Sequence, residues 1–111
     1  AEGKVSHARF NLGGTSFVAT ESNLEHNFAF NESISFVVDC DTQEEIDYYW
    51  NRLTEGGSES MCGWLKDKFG VSWQIVPTVL GKLMGDPKRS ERVIQAFLKM
   101  KKFDIEKLLQ A

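Results

Sequence analysis

The sequence predicts an α+β fold in which β-hairpins alternate with helices and the last third of the chain is helical. Apolar and polar residues alternate near the amino terminus, as is typical of half-buried strands. Apolar residues recur at helical spacing in the middle of the chain, and again after residue 78. A chain of 111 residues is expected to form one domain, over residues 1–111.

The first predicted element is a hairpin within residues 1–21. Alternation places Phe10 and Leu12 on one face of a strand that runs over residues 5–12. Gly13 and Gly14 tolerate the positive φ angles of a tight hairpin turn, and residues 15–20 are rich in β-branched side chains. Residues 21–33 follow as a connection.

Residues 34–40 have the pattern of a strong strand, and a helix follows it directly. Thr42 and Glu45 have the spacing of a capping box, in which the two side chains satisfy free amides at the helix start. The stripe of Ile46, Tyr49, Trp50 and Leu53 should pack on a sheet, and Gly56-Gly57 should end the helix.

A second hairpin is predicted from residues 61–66 and 71–76, with a four-residue loop at 67–70. In that register Trp64 lies opposite Trp73, and one face is apolar and bulky. The apolar face contains Cys62, Trp64, Trp73 and Ile75. The other face mixes apolar and polar groups, as a cleft wall does, although Gln74 could equally well face water. The candidate ligand-binding residues are Gln74, Ser72, Gly63, Leu65, Ser33 and Ser35.

The remaining residues, 78–111, predict carboxy-terminal helices. Thr78 can cap the first of them, Asp86 followed by Pro87 can start the second, and Asp104 can start the last. None of these helices carries a group of side chains of catalytic type, so we assign no catalytic residue.

Composition and charge exclude several classes of protein. A net charge of −3 argues against a nucleic-acid partner, because phosphate binding requires a basic face. No apolar run has the length of a membrane span, which argues against a membrane partner. Cys40 and Cys62 fall within apolar strand patterns and are expected to be buried thiols, so we predict a cytoplasmic location.

Several blocks of sequence resemble the PhnB-like branch of the vicinal oxygen chelate superfamily, which includes glyoxalases and bleomycin-resistance proteins. This branch is also described as demethylubiquinone methyltransferase-like. The blocks are Phe28-x-Phe30-Asn31-Glu32-x-Ile34-Ser35-Phe36, Thr42-Gln43-Glu44-Glu45-x-Asp47-x-x-Trp50, Cys62-Gly63-Trp64-x-x-Asp67-Lys68-x-Gly70-x-Ser72-Trp73-Gln74-Ile75-x-Pro77 and Met100-Lys101-Lys102-x-Asp104-Ile105. The resemblance implies two βαβββ modules, with a curved sheet around a cleft.

The sequence departs from the pattern that this resemblance implies in two ways. The first β-α-β of the amino-terminal module precedes Val5 in relatives and is not found here, so residues 1–21 would be the hairpin of an incomplete module, and residues 34–77 the second module. A fragment, a lost module or a second chain could each account for this. Metal-using relatives carry His or Glu where this chain has Val18, Ser33 and Gln74, so we expect no metal and no cofactor.

The function that we expect is the binding of an unknown small molecule without a metal, by a homodimer. The residues leave open whether the chain is an enzyme. A metal-dependent lyase, isomerase or dioxygenase of the same superfamily is one alternative, and a dimeric structural or interaction protein is another. Methyl transfer is disfavoured, because the sequence has no glycine-rich turn between a strand and a helix that would hold an adenosyl cofactor.

Overall fold

The computed structural model describes residues 5–111 and contains two sheets and four helices. The α+β class that the sequence predicts is confirmed. The predicted unit 1–21 begins in residues 1–4, which lie outside the described ones. The elements are β1 (His7–Leu12), β2 (Thr15–Thr20), β3 (Ser35–Cys40), α1 (Gln43–Thr54), β4 (Ser58–Glu59), β5 (Trp64–Lys66), β6 (Ser72–Pro77), α2 (Val79–Met84), α3 (Ser90–Phe97) and α4 (Ile105–Gln110).

Strands β1 and β2 form an antiparallel hairpin that is a sheet of its own. The two-residue turn at Gly13 and Gly14 has φ angles of 55° and 84°, which confirms the predicted glycine turn. Phe10 and Phe17 stack on one face with 5.7 Å between ring centroids. Phe17 then meets Phe36 of β3 edge-on at 5.6 Å, and this contact joins the hairpin to the second sheet.

The second sheet has the order β3-β6-β5-β4, with β3 parallel to β6 and the other neighbours antiparallel. Helix α1 follows β3 in sequence and packs on the sheet. The Thr42 hydroxyl accepts a hydrogen bond from the Glu45 amide at 3.2 Å, as the capping prediction requires. The apolar stripe of α1 places Ile46 and Trp50 in the core.

The core lies between one face of this sheet and the four helices. Its buried apolar members come from three strands, all four helices and the segment before α4. They are Cys40, Ile46, Trp50, Leu65, Ile75, Leu83, Val93, Phe103 and Leu108. We call the sheet face that contributes to this cluster the core face.

The register of the second hairpin differs from the prediction by one residue. Lys66 lies opposite Ser72, and Trp64 opposite Gln74, so the loop has five residues instead of four. Asp67 causes this, since its Oδ1 accepts hydrogen bonds from the amides of Phe69 and Val71 at 2.9 and 3.0 Å. Its own amide donates to the Val71 carbonyl, which keeps that residue in the loop.

This register moves two residues to faces other than those predicted. Leu65 lies in the core with 1% of its surface exposed, so its predicted place on the cleft face is wrong. Trp64 lies on the opposite face and is half-buried, so its predicted core position is also wrong.

The strand before the loop also begins later than predicted, at Trp64 instead of Met61. Cys62 and Gly63 have φ angles of 58° and 81°, which no strand accommodates. Gly63 is buried against the Phe103 ring, so its predicted place on a strand face is wrong.

Asp104 caps α4 through the Lys107 amide at 3.1 Å, as predicted. The predicted start of α3 at Asp86 and Pro87 is wrong, because α3 begins at Ser90 with Arg89 at its N-cap. The Asp86 carboxylate accepts from the Lys88 amide at 3.0 Å in the turn before the helix. The predicted capping role of Thr78 is wrong. Its hydroxyl donates instead to the carboxylate of Asp41 at 2.9 Å, which ties the start of α2 to the end of β3.

Candidate functional site

The sheet face that turns away from the helices is the candidate site, and we call it the open face. Side chains alternate along each strand, so the neighbours of core residues point to the opposite side. The strand register then defines the open face as Ser35, Val37 and Asp39 of β3, Ser72, Gln74 and Val76 of β6, and Trp64 and Lys66 of β5. It combines apolar surface with a few polar groups, which is the composition of a ligand site.

Gln74 and Ser35 form a hydrogen-bonded pair near the centre of the open face. Gln74 Nε2 donates to Ser35 Oγ at 2.9 Å, across the parallel pair of β3 and β6. Trp64 lies directly opposite Gln74 on β5, and the exposed Val37 lies opposite it on β3. Within residues 5–111 no donor is bonded to the amide oxygen of Gln74, so this oxygen can accept a hydrogen bond from a bound molecule.

Ser72 stands apart from the other polar residues of the open face because it is fully buried. It has 1% of its surface exposed, and its Oγ has no hydrogen-bond partner among the described residues. It lies between Ser35 on β3 and Lys66 on β5.

The segment 29–34 lies against this end of the sheet, and we call it the strap. The Glu32 carboxylate forms an ion pair with the Lys66 ammonium, and the hydrogen bond from Lys66 lowers the pKa of Glu32. The Ser33 hydroxyl donates to Asn31 Oδ1 at 2.6 Å, so it is used within the strap.

Two small cavities border the strap, and Ser72 contributes to both. One has a volume of about 350 Å³ and is lined mainly by apolar residues, among them Phe30, Ile34 and Val71. The other has about 200 Å³, and charged groups line it, including Lys66 and Glu32.

A larger cavity of about 650 Å³ lies between the β1–β2 hairpin and β3. Phe17, Phe36 and Trp73 form a continuous aromatic wall there, with 5.2 Å between the rings of Phe36 and Trp73. The indole nitrogen of Trp73 donates to Asp67 Oδ2 at 2.9 Å, which fixes the ring. The sequence does not predict this cavity, because its two walls are distant in sequence.

The residues at the three positions where the resemblance implies metal ligands in relatives do not fit a divalent ion. Val18 has no donor atom, Ser33 is bonded to Asn31, and Gln74 offers a weak amide ligand that is bonded to Ser35. In residues 5–111 there is no group of three or more His, Cys, Asp or Glu side chains placed to hold a metal ion.

Neither cysteine is arranged as a nucleophile. Burial raises the pKa of the Cys40 thiol to about 11, so it stays protonated at neutral pH. The Cys62 thiol donates to the Phe97 carbonyl at 3.7 Å, against the helical side of the protein. Both cysteines are free thiols.

The structure thus brings together three of the six predicted ligand-binding residues on the open face: Gln74, Ser72 and Ser35. Ser33 lies beside them on the strap, whereas Leu65 and Gly63 lie on the side of the helices. Trp64 is the open-face residue that the sequence pattern places on the wrong side of the sheet. The signal was present in Asp67, an aspartate that favours a longer loop by bonding to the amides that follow it.

Known proteins give a consistent set of matches. The 3-demethylubiquinone-9 3-methyltransferase family matches residues 1–76. A PhnB protein from Bacillus cereus, assigned as a 3-demethylubiquinone-9 3-methyltransferase, is similar at 40% identity and a TM-score of 0.65, over 70% of this chain and 68% of that one. A protein from Pseudomonas aeruginosa is similar at 25% identity and a TM-score of 0.56, over 66% of this chain and 62% of that one. No curated protein matches the chain.

Proposed function

We propose, from the premise that this chain belongs to the PhnB-like family described as 3-demethylubiquinone-9 3-methyltransferases, that it binds a small organic molecule on its open face. The observation that carries this proposal is the Gln74–Ser35 pair, which lies on the sheet face that the helices leave uncovered. Residues 34–77 would form the binding unit, and residues 78–111 its support. No metal would take part, because positions 18, 33 and 74 do not carry suitable ligands.

The chemistry of the open face supports an organic ligand with both apolar and polar parts. Trp64 and Val37 offer apolar surface on either side of Gln74. The free amide oxygen of Gln74 would accept a hydrogen bond from the ligand, and Ser35 would hold the amide in that orientation. Apolar walls with one or two oriented polar groups are typical of small-molecule sites.

A thermal-shift screen with aromatic and aliphatic fragments tests this proposal. Bound fragments should raise the unfolding temperature of the wild-type protein, because they bind only the native state. Gln74→Ala should reduce that rise, whereas Gln95→Ala, on the exposed surface of α3, should leave it unchanged. Equal fragment responses in the two variants would contradict the proposal, as would a screen without any stabilising fragment.

Methyl transfer is the second candidate function, because the name of the matching family states it. The turn between β3 and α1 argues against it. Enzymes that hold a nucleotide-type cofactor at such a turn use glycines to let the backbone approach the ligand, whereas this turn is Asp41-Thr42. We expect calorimetry with S-adenosylmethionine to detect no binding. A stoichiometric binding isotherm would favour methyl transfer over simple ligand binding.

We also propose that the chain acts as a homodimer in the cytoplasm. The β1–β2 hairpin leaves Phe10 and Leu12 exposed on one face, and a two-stranded hairpin is marginally stable by itself in water. A second copy would cover these side chains. The free thiols of Cys40 and Cys62 fit a reducing compartment, and within residues 5–111 no helix is long and apolar enough to cross a bilayer. Light scattering should give the mass of two chains, and the mass of one chain would exclude the dimer.

A further inference from the structure

The buried hydroxyl of Ser72 has no structural explanation within the fold. Buried polar groups in native proteins almost always have a hydrogen-bond partner, because an unpaired one loses its bonds to water and gains nothing in return. Ser72 is the one buried polar residue in the described part of the chain, and its Oγ is unpaired there. Alanine would fill the same position without that penalty.

The surroundings of Ser72 indicate what could satisfy the hydroxyl. The cavity of about 350 Å³ beside it is lined by eight residues, none of which is ionisable. Phe30, Ile34, Phe36 and Val71 give it an apolar wall, and that volume suits a molecule of one or two aromatic rings. Burying a charged group in such a cavity would be unfavourable, since no opposite charge lines it.

We propose that the Ser72 hydroxyl forms a hydrogen bond to the ligand, and that this ligand is a neutral, mainly apolar molecule with one hydrogen-bonding oxygen. A phenol has this chemistry, because its hydroxyl can pair with Ser72 while its ring packs against the apolar wall. This inference rests on the proposed function and specifies the ligand class at the Ser72 end of the open face, beside the strap. Ligand binding would then explain why the Ser72 hydroxyl is buried without a partner, because sites that bind ligands commonly retain unsatisfied groups at a cost in stability.

The strap is the route by which such a ligand would reach Ser72. Its side chains Phe30 and Ile34 are largely exposed, so few apolar contacts hold the strap to the sheet. The ion pair of Glu32 with Lys66 joins the two across solvent-exposed atoms, and exposed ion pairs are weak. A small displacement of the strap would open the 350 Å³ cavity toward Ser72 while the sheet stays in place.

Binding of phenol and of toluene to three proteins tests the inference. The proteins are the wild type, Ser72→Ala and Gln74→Ala, and dissociation constants come from NMR titrations in which the resonances of residues 71–74 are followed. We expect phenol to bind the wild type more tightly than toluene. Ser72→Ala should lose at least fivefold in phenol affinity and leave toluene affinity unchanged, because toluene makes no hydrogen bond.

The unfolding temperature of ligand-free Ser72→Ala supplies the second readout. The variant should unfold at a higher temperature than the wild type, because it removes an unpaired buried hydroxyl. A lower unfolding temperature would overturn the inference, since it would mean that water or the backbone satisfies the hydroxyl in the native protein.

The outcomes separate this inference from the proposed function. Unchanged phenol affinity in Ser72→Ala, together with reduced affinity in Gln74→Ala, would overturn the role of Ser72 and leave the open face as the binding site. Failure of phenol to bind the wild type would also overturn the inference. The proposed function would then fail only if the broader fragment screen gave no ligand at the open face.

Discussion

The two faces of the second sheet belong to the same strands, but their side chains differ in polarity and burial. On the core face, Leu65 and Ile75 are buried among apolar side chains of the helices. On the open face, Ser35, Ser72 and Gln74 carry polar groups, and the helices do not cover them. Because side chains alternate along a strand, consecutive residues of β6 belong to different faces. A single strand can therefore stabilise the fold with one set of residues while the other set is free to bind a ligand.

The two faces differ in how much their side chains contribute to the stability of the fold. The core face contains close-packed apolar side chains, as expected of a surface that drives folding. The open face tolerates an unpaired buried hydroxyl at Ser72 and an exposed valine at position 37, neither of which stabilises the fold. Substitutions on the two faces should therefore separate stability from binding.

The largest difference in the free energy of unfolding is expected between substitutions of Ile75 and of its neighbour Gln74. Ile75→Ala should lower the free energy of unfolding by about 2–5 kcal/mol, because it leaves a cavity in the core. Gln74→Ala should cost about 1 kcal/mol or less, since its hydrogen bond to Ser35 is made at a partly exposed position. Urea denaturation of both variants provides the measurement. Equal losses in the free energy of unfolding would contradict the view that the core face stabilises the fold and the open face does not.

Gly63→Ala should give the next largest effect, and it tests the corrected position of this residue. An added Cβ would lie 2.4 Å from a carbon of the Phe103 ring and 2.9 Å from the Ile75 carbonyl oxygen, which is too close. The positive φ angle of 81° adds about 1–2 kcal/mol for a residue with a side chain. We expect a clear loss in the free energy of unfolding. Gly13→Ala is the control, since it has a positive φ but open space around it.

Asp67→Ala should cost about 1–3 kcal/mol, because it leaves amides of the loop and the Trp73 indole without their acceptor. The tryptophan emission should shift to longer wavelength as the ring gains access to water. Asp67→Asn keeps an acceptor oxygen and should lose less. An unchanged emission spectrum in Asp67→Ala would mean that the loop register does not depend on this carboxylate.

The sequence predicted the fold class, the hairpin turn at Gly13-Gly14 and the cap at Thr42 because each depends on local chemistry. It misplaced Trp64 and Leu65 because strand faces depend on the loop length, and a shift of one residue exchanges the faces. The position of Gly63 beneath Phe103 could not be predicted, since the two residues are 40 positions apart in sequence and meet only in the folded chain.

The candidate site was predicted in part for the same reason. Gln74, Ser72 and Ser35 were identified because polar residues in apolar strands stand out in a pattern. The ion pair that joins the strap to Lys66 was not, because the path of a loop over a sheet leaves no periodic signal.

The smallest effect is expected from the ion pair of Glu32 with Lys66. The pKa of Glu32 is lowered in the native protein, so the pair contributes stability above the unfolded pKa of the carboxyl and loses it as pH falls through the native pKa. Glu32→Gln should therefore alter the unfolding temperature slightly at about pH 6, and this difference should shrink as the pH falls below the unfolded pKa of the carboxyl. A larger difference at the lower pH would have the wrong sign for this pair.

Mapping a bound fragment by NMR tests the central claim, that the open face is the binding surface, most directly. The fragment would be the one that gives the largest rise in unfolding temperature with the wild-type protein. We predict that the amide signals of Ser35, Trp64 and Gln74 move on titration, while those of α3 and α4 stay in place. Shifts confined to the aromatic cavity beside β2, or to the groove of about 780 Å³ between α1 and α4, would contradict the claim.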